Sequence, residues 1–119
     1  MKQMTLGELI SALERKDEAK HVYFDFVYFA PDGVSSYRGD YSQLAITYSD
    51  GGAMLVGDFL SILREANGKE FTGYKGGQYL MHSNTPLWVA NNGEAGRTAV
   101  VDVNDLDGAV VISTAKLGL

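Results

Sequence analysis

The chain has 119 residues, no cysteine and a formal net charge of −5. This length suits one domain over residues 1–119 with a core that needs no metal or cross-link, and the absence of cysteine excludes disulfides, zinc–thiolate sites and thiol catalysis. The acidic balance argues against sequence-independent binding of nucleic acid, and because no apolar run resembles a membrane span or a signal peptide, a cytoplasmic protein is expected.

An amphipathic helix is predicted from 6 to 16. Thr5 and Glu8 have the spacing of a capping box, in which each side chain accepts a hydrogen bond from the other residue's backbone N–H. Apolar residues then recur at the spacing of one helix face: Leu6, Leu9, Ile10 and Leu13. The cap and the spacing together predict where the helix begins and which side it buries.

A strand is predicted over residues 21–29, which are mostly aromatic and β-branched. Because apolar residues occupy both alternating faces, we expect this strand to lie centrally in a sheet. Asp25 is the polar exception and is expected either at an open end of the strand or in a pair. A turn is predicted at 31–33, and a second strand at 44–48.

A second amphipathic helix is predicted from 55 to 66, with Asn67-Gly68 as its C-cap. Residues 56–63 align with residues 6–13 in apolar phase and in the positions of a glycine, an acid and a serine. This match indicates either a duplicated unit or the convergence of two amphipathic helices. Both helices present one apolar stripe, so both are expected to pack on one face of a sheet.

The last third of the chain predicts strands joined by turns. The strands are expected at 86–91, 98–103 and 109–114, with a turn-rich loop at 91–96 and a hairpin loop at 104–108. Helices and strands are segregated rather than alternating as in doubly wound folds. The expected fold class is therefore α+β, with a mostly antiparallel sheet and two amphipathic helices packed on one face.

No motif in the sequence specifies catalysis. His21 and His82 lie far apart and neither has the spacing of a metal or nucleophile site, so no metal and no cofactor are expected. The glycines at 73–77 lack the spacing of a nucleotide-hydrolysing phosphate loop, although Lys75 beside them suits a backbone cradle for an anion. Asp105 and Asp107 are explained by turn geometry.

The candidate binding site combines aromatic, cationic and glycine residues in two segments, 37–41 and 73–79. Its members are Tyr37, Arg38, Tyr41, Tyr74, Lys75, Gly76, Gly77, Tyr79, Trp88 and Arg97. Tyrosine and tryptophan supply rigid contact area, and arginine and lysine supply charge-assisted hydrogen bonds. This composition suits a nucleotide pocket or a protein interface, whereas the alternative is that the tyrosines pack a sheet edge and the glycines only turn corners.

Two stretches carry a family resemblance: Ser36-Tyr37-Arg38-Gly39-Asp40-Tyr41 and Phe71-Thr72-Gly73-Tyr74-Lys75-Gly76-Gly77. Through them, residues 4–96 resemble an uncharacterised family of small accessory proteins of tailed bacteriophages. The resemblance implies a genomic context, in which such proteins often inhibit host functions, but it implies no activity and no assigned residues.

The expected function is that of a non-enzymatic phage binding protein that counteracts host antiviral defence in the cytoplasm of the infected bacterium. Sequestration of a small nucleotide-derived signal is the first hypothesis. The alternative is a protein–protein inhibitor of a host or defence enzyme, resembling an anti-CRISPR or nucleic-acid-mimicking protein. An enzyme that degrades a nucleotide is the third. Direct nucleic-acid binding is not expected, and the sequence leaves a homo-oligomer open.

Overall fold

The computed structural model describes residues 2–26, 28–90 and 97–117. Within them, one helix and three strands are followed by a second helix and five strands. The elements are α1 (Leu6–Glu14), β1 (Val22–Phe24), β2 (Ala30–Tyr37), β3 (Asp40–Ser49), α2 (Val56–Ala66), β4 (Glu70–Thr72), β5 (Gln78–Leu80), β6 (Leu87–Val89), β7 (Thr98–Leu106) and β8 (Ala109–Lys116).

Six of the strands form one sheet in the order β1-β8-β7-β6-β3-β2, and β4 and β5 form a separate hairpin. In the large sheet β1 pairs parallel with β8 and β3 pairs parallel with β6, while the other neighbours are antiparallel. The two end strands, β1 and β2, approach each other, so the sheet is close to a closed barrel. The predicted α+β class with a mostly antiparallel sheet is confirmed.

Both helices have the predicted core-facing residues, but their caps differ. At the start of α1 the Thr5 hydroxyl accepts a hydrogen bond from the Glu8 backbone N–H at 3.2 Å, and the Glu8 carboxylate accepts one from the Thr5 backbone N–H at 2.9 Å. At the start of α2, Leu55 provides no side-chain cap. Among the described residues, neither helix is long and apolar enough to cross a membrane.

The core divides into two clusters because strand residues alternate between two faces. The larger cluster combines buried residues of both helices with one face of the sheet, including Leu44, Ile46 and Leu87. The smaller cluster lies on the opposite face and consists of Tyr37, Ala45, Trp88 and Ala99. We call the face of the sheet that carries this smaller cluster the outer face.

The prediction of one central strand over 21–29 is wrong. Strand β1 ends at Phe24, because the Asp25 carboxylate accepts hydrogen bonds from the backbone N–H and the hydroxyl of Thr114 on β8, and the chain then turns. The Phe24 N–H donates to the Phe29 carbonyl at 2.8 Å, which closes the turn. In hydrogen-bonded order β1 is an end strand, and Val27 lies outside the described residues.

Two predicted turns or loops are largely strand. The turn expected at 31–33 lies inside β2, where the chain absorbs it as a β-bulge between Pro31 and Gly33. The hairpin loop expected at 104–108 shrinks to Asp107 and Gly108, which have φ values of 50° and 81°. A two-residue turn with positive φ at both positions matches the twist of the flanking strands, so β7 and β8 stay paired up to the turn.

Other boundaries shift by a few residues. Helix α1 ends at Glu14 rather than 16, β3 extends beyond 44–48 at both ends, and β6 is shorter than 86–91. The C-cap of α2 is confirmed, with Asn67 at the cap and Gly68 at φ 87°. The loop predicted at 91–96 lies outside the described residues.

The two halves of the chain repeat one unit, a helix followed by a short strand and an antiparallel pair. The first unit is α1-β1-β2-β3 and the second is α2-β6-β7-β8. The backbone N–H of Leu6 donates to the Thr85 carbonyl at 2.8 Å, and that of the equivalent Val56 donates to the Lys20 carbonyl at 2.9 Å. Each helix therefore begins on the segment that leads into the short strand of the other unit.

The equivalence of the units extends to single residues. The Leu87 N–H donates to the Met4 carbonyl at 3.1 Å, and the Val22 N–H donates to the Met54 carbonyl at 2.9 Å. The bulge in β7 between Val100 and Asp102 occupies the same place as the bulge in β2. The structure thus favours a duplicated unit over the convergence of two unrelated helices.

Candidate functional site

The two glycine- and tyrosine-containing segments meet in space. Arg38 lies in the turn between β2 and β3, and Tyr74 lies in the turn between β4 and β5. The guanidinium carbon of Arg38 is 3.8 Å from the centroid of the Tyr74 ring, which is a cation–π contact. Tyr74 is nevertheless 68% exposed, so the side chain remains accessible.

A second contact between the segments lies behind the first. The rings of Tyr41 and Tyr79 have centroids 5.8 Å apart and are tilted by 59°. Gly73 packs against both: a Cβ placed on it would lie 2.8 Å from Cε2 of Tyr79 and 3.1 Å from Cγ of Tyr41. Only a residue without a side chain therefore lets the two hairpins approach this closely.

Gly76 and Gly77 shape the tip of the β4–β5 hairpin. Their φ values are 90° and 83°, which residues with a side chain rarely adopt. The Gly73 N–H donates to the Gly77 carbonyl and the Gly76 N–H donates to the Gly73 carbonyl, each at 3.0 Å. This tight path leaves Tyr74 and Lys75 projecting from the tip into solvent.

Tyr37 and Trp88 are brought together, but in the interior of the outer-face cluster. Their rings stack with centroids 4.8 Å apart and an angle of 10°, and the two residues are 1% and 6% exposed. Arg97 covers the indole, with its guanidinium carbon 5.8 Å from the ring centroid. These three residues support the hairpin that carries Arg38.

Two polar residues that the sequence argument missed connect this stack to the turn. The Trp88 indole N–H donates to the Gln43 side-chain oxygen, and the Gln43 amide donates to the Asp40 carboxylate at 3.1 Å. Asp40 also accepts from the backbone N–H of Ser42 at 3.2 Å. Asp40 follows Arg38-Gly39 directly, so the network fixes the turn. The glycine in that turn was the only sequence signal for it.

The cations of the site lack acidic partners within the described part of the chain. Four ion pairs occur there, and they join Lys16 and Lys20 to Asp105, Arg64 to Glu14 and Lys69 to Glu65. Arg38, Lys75 and Arg97 are in none of them. Without such pairs, these three cations suit an anionic ligand even in a protein of net charge −5.

Perturbed carboxylates lie elsewhere. The hydrogen bond from Lys16 holds the pKa of Asp105 below its ordinary range, and the Thr5 backbone N–H does the same for the pKa of Glu8. Both are explained by ion pairing or helix capping.

Three clefts lined by described residues also lie away from Tyr74. The largest of the three lies beside α1 and has a volume of about 460 Å³.

The described residues contain no group of three His, Cys, Asp or Glu side chains arranged to hold a metal ion. His82 accepts a hydrogen bond at Nδ1 from the Asn84 backbone N–H at 3.2 Å, and the ring of His21 stacks on that of Tyr23. Both histidines thus have local structural contacts.

No protein family, curated protein or solved structure matches this chain. The resemblance to phage accessory proteins therefore stays a prediction from the two sequence segments that carry it.

Proposed function

We propose that the chain is a non-enzymatic binding protein whose contact surface is formed by Arg38, Tyr41, Tyr74, Lys75 and Tyr79, called here the Tyr74 platform. One observation carries the proposal: the Arg38 guanidinium covers one face of the Tyr74 ring and the ring is still 68% exposed. An exposed aromatic ring held by a stacked cation gives a ligand rigid contact area and a positive charge together.

The hairpin that carries Tyr74 supports this interpretation because the repeated unit does not need it. In the first unit α1 leads to β1 through residues 15–21, whereas in the second unit the path from α2 to β6 contains β4 and β5. An element added to one copy, with its tip facing solvent, is a natural carrier of binding residues.

A small nucleotide-derived signal is the ligand we propose first. A base would stack on the open face of Tyr74, and phosphate groups would interact with Arg38 and Lys75, which lack acidic partners within the described residues. By its resemblance to phage accessory proteins, the protein would act in the cytoplasm of an infected bacterium and counteract host defence by sequestering the signal. We also propose that both helices pack on one face of the sheet.

A protein–protein inhibitor is the second candidate, and the openness of the platform favours it. Tyr74 stands at a hairpin tip rather than inside an enclosed cavity, and a central exposed tyrosine beside an arginine is typical of interface hot spots. Such a partner would present an acidic surface to Arg38 and Lys75. The partner would be a host or defence enzyme.

Calorimetric titration of the protein with cyclic dinucleotides, cyclic oligonucleotides and ADP-ribose-type nucleotides tests the first candidate. We expect saturable binding of at least one nucleotide, weakened roughly tenfold or more by Tyr74→Ala because one stacked base is lost. Arg38→Gln is expected to weaken the same ligand. Recovery of the nucleotide intact by chromatography checks that no turnover occurs.

The matched control is Tyr28→Ala, because Tyr28 is 64% exposed and lies outside the platform. This variant should bind as the parent does. Absence of heat across the whole panel would contradict the nucleotide proposal. The protein-inhibitor candidate then predicts a host complex that is retained by Tyr28→Ala and lost in Tyr74→Ala, and failure of both arms would contradict the platform itself.

A further inference from the structure

A cleft with a volume of about 370 Å³ opens on the outer face of the sheet, beside β1, β8 and the turn between β7 and β8. It is lined by Tyr23, Tyr28, Leu106, Asp107, Ala109 and Val111. Two of these residues are among the most exposed large apolar side chains described, with Tyr28 at 64% and Leu106 at 47%. None of the six belongs to the Tyr74 platform.

The repeat identifies the equivalent place on the sheet, which is built around Trp88. Tyr23 of β1 lies beside Val111 of β8 in a parallel pair, as Trp88 of β6 lies beside Ala45 of β3. Tyr23 is therefore the counterpart of Trp88. Leu106 is the last β7 residue of the β7–β8 ladder, as Tyr37 is the last β2 residue of the β2–β3 ladder, where a register shift precedes it.

The two equivalent places differ in one respect. Around Trp88 the chain supplies its own second ring, because Tyr37 stacks on the indole at 4.8 Å and is 1% exposed. Around Tyr23 the equivalent residue is Leu106, which is 47% exposed. The cleft thus lies where the other half of the molecule has a stacked aromatic ring.

The rim of the cleft carries backbone strain. Tyr28 has a φ of 51°, in the left-handed region that bulky side chains rarely adopt. Two features hold it there: the anchoring of Asp25 to Thr114 and the packing of Phe26 and Phe29 against Tyr48. Strained residues held by their surroundings occur often at ligand clamps.

We propose that this cleft binds a planar aromatic small molecule that carries an ammonium group, with its ring stacked on Tyr23. The ring takes the place that Tyr37 has against Trp88, over a floor of Ala109 and Val111. The ammonium group faces Asp107, the only charged residue of the six that line the cleft. A volume of about 370 Å³ lies within the range of small-molecule sites and accommodates a fused bicyclic ring.

Tryptamine is the probe, because it combines an indole ring with an ammonium group. Titration into isotope-labelled protein should shift the NMR signals of Tyr23, Val111 and Ala109 in a saturable way. Leu106→Phe supplies the missing ring from the chain itself, so it should abolish the shifts. Tyr23→Leu keeps the apolar volume but removes stacking, and it should weaken binding roughly three- to tenfold.

Matched ligands and variants decide the outcome. Cyclohexylmethylamine has the charge without the aromatic ring, and indole-3-acetate has the ring with the opposite charge, so both should bind more weakly than tryptamine. Leu80→Phe adds the same ring at an exposed leucine outside the cleft and should leave binding unchanged, as should Tyr74→Ala. Equal binding of cyclohexylmethylamine, shifts that survive Leu106→Phe, or shifts that disappear in Tyr74→Ala would each overturn the proposal.

Discussion

Gly73 is the residue on which the shape of the Tyr74 platform depends most directly. Gly73→Ala would place a Cβ 2.8 Å from Tyr79 and 3.1 Å from the Gly76 carbonyl oxygen, which is backbone and cannot move aside cheaply. We expect a loss of about 1–3 kcal/mol in the free energy of unfolding, as for other overpacked sites, together with weaker ligand binding. Urea denaturation and the nucleotide titration measure the two effects.

The control for this substitution is Gly52→Ala. Its Cβ would lie 2.8 Å from the Ser49 hydroxyl, which is the far end of a half-buried side chain and rotates away. This variant should unfold with the parent's midpoint. A Gly73→Ala protein that is as stable as Gly52→Ala and binds equally well would show that the close approach of the two hairpins does not matter.

At the residue scale the sequence predicted which side chains belong together but not how each is used. The composition of the two segments assigns Tyr37, Arg38 and Tyr74 to one site, whereas the structure brings Arg38 to Tyr74 and buries Tyr37 against Trp88. The sequence could not show that Tyr37 would be buried against Trp88 while Tyr74 stays exposed, because both are tyrosines beside glycine and a cation. That difference comes from strand pairing between segments far apart in the chain.

The N-terminus of α1 is the element whose stability the structure ties to pH. The Thr5 N–H holds the pKa of Glu8 below its ordinary value in the folded chain. A carboxylate with a lowered folded pKa stabilises the fold above its unfolded pKa, and this contribution is lost as the pH falls through the folded value. Glu8→Gln should therefore show a shallower loss of stability below about pH 4 than the parent chain.

Removal of the capping hydroxyl tests the same element at neutral pH. Thr5→Ala should lower the free energy of unfolding by about 1 kcal/mol, since the Glu8 N–H loses its acceptor. Thr5→Ser keeps a hydroxyl and should lose much less. Thermal unfolding followed by circular dichroism gives both values, and equal midpoints for the alanine and serine variants would contradict the role of the cap.

Elements with a local signal were predicted, and elements set by distant pairing were not. Thr5, Glu8 and the leucine spacing define α1 within a few residues of chain, so its start was found. The end of β1 depends on the hydrogen bonds that Thr114 donates to the Asp25 carboxylate, which no local pattern encodes. Similarly, three glycines interrupt the β4–β5 hairpin, so no alternating strand pattern is evident in its sequence, and its pairing is visible only in the structure.

On the scale of the whole molecule, each helix is anchored on the other unit, so neither unit should unfold alone. The substitution Leu6→Ala tests this. Leu6 belongs to the first unit and is fully buried, and its backbone N–H donates to the Thr85 carbonyl of the second unit. We expect a loss of about 2–5 kcal/mol and equal shifts of the midpoints measured by Trp88 fluorescence and by circular dichroism. A fluorescence transition that stays at the parent's midpoint while the circular dichroism transition shifts would show that the structure around Trp88 does not depend on α1.

The ion pair between Glu14 and Arg64 has a consequence for how the two units recognise each other. These residues occupy the same position in the two helices, and they meet at 2.9 Å. If two first units associated in this way, glutamate would face glutamate, and two second units would bring arginine against arginine. The charges therefore disfavour pairing of like units, and they direct each half towards the unlike half of its own chain.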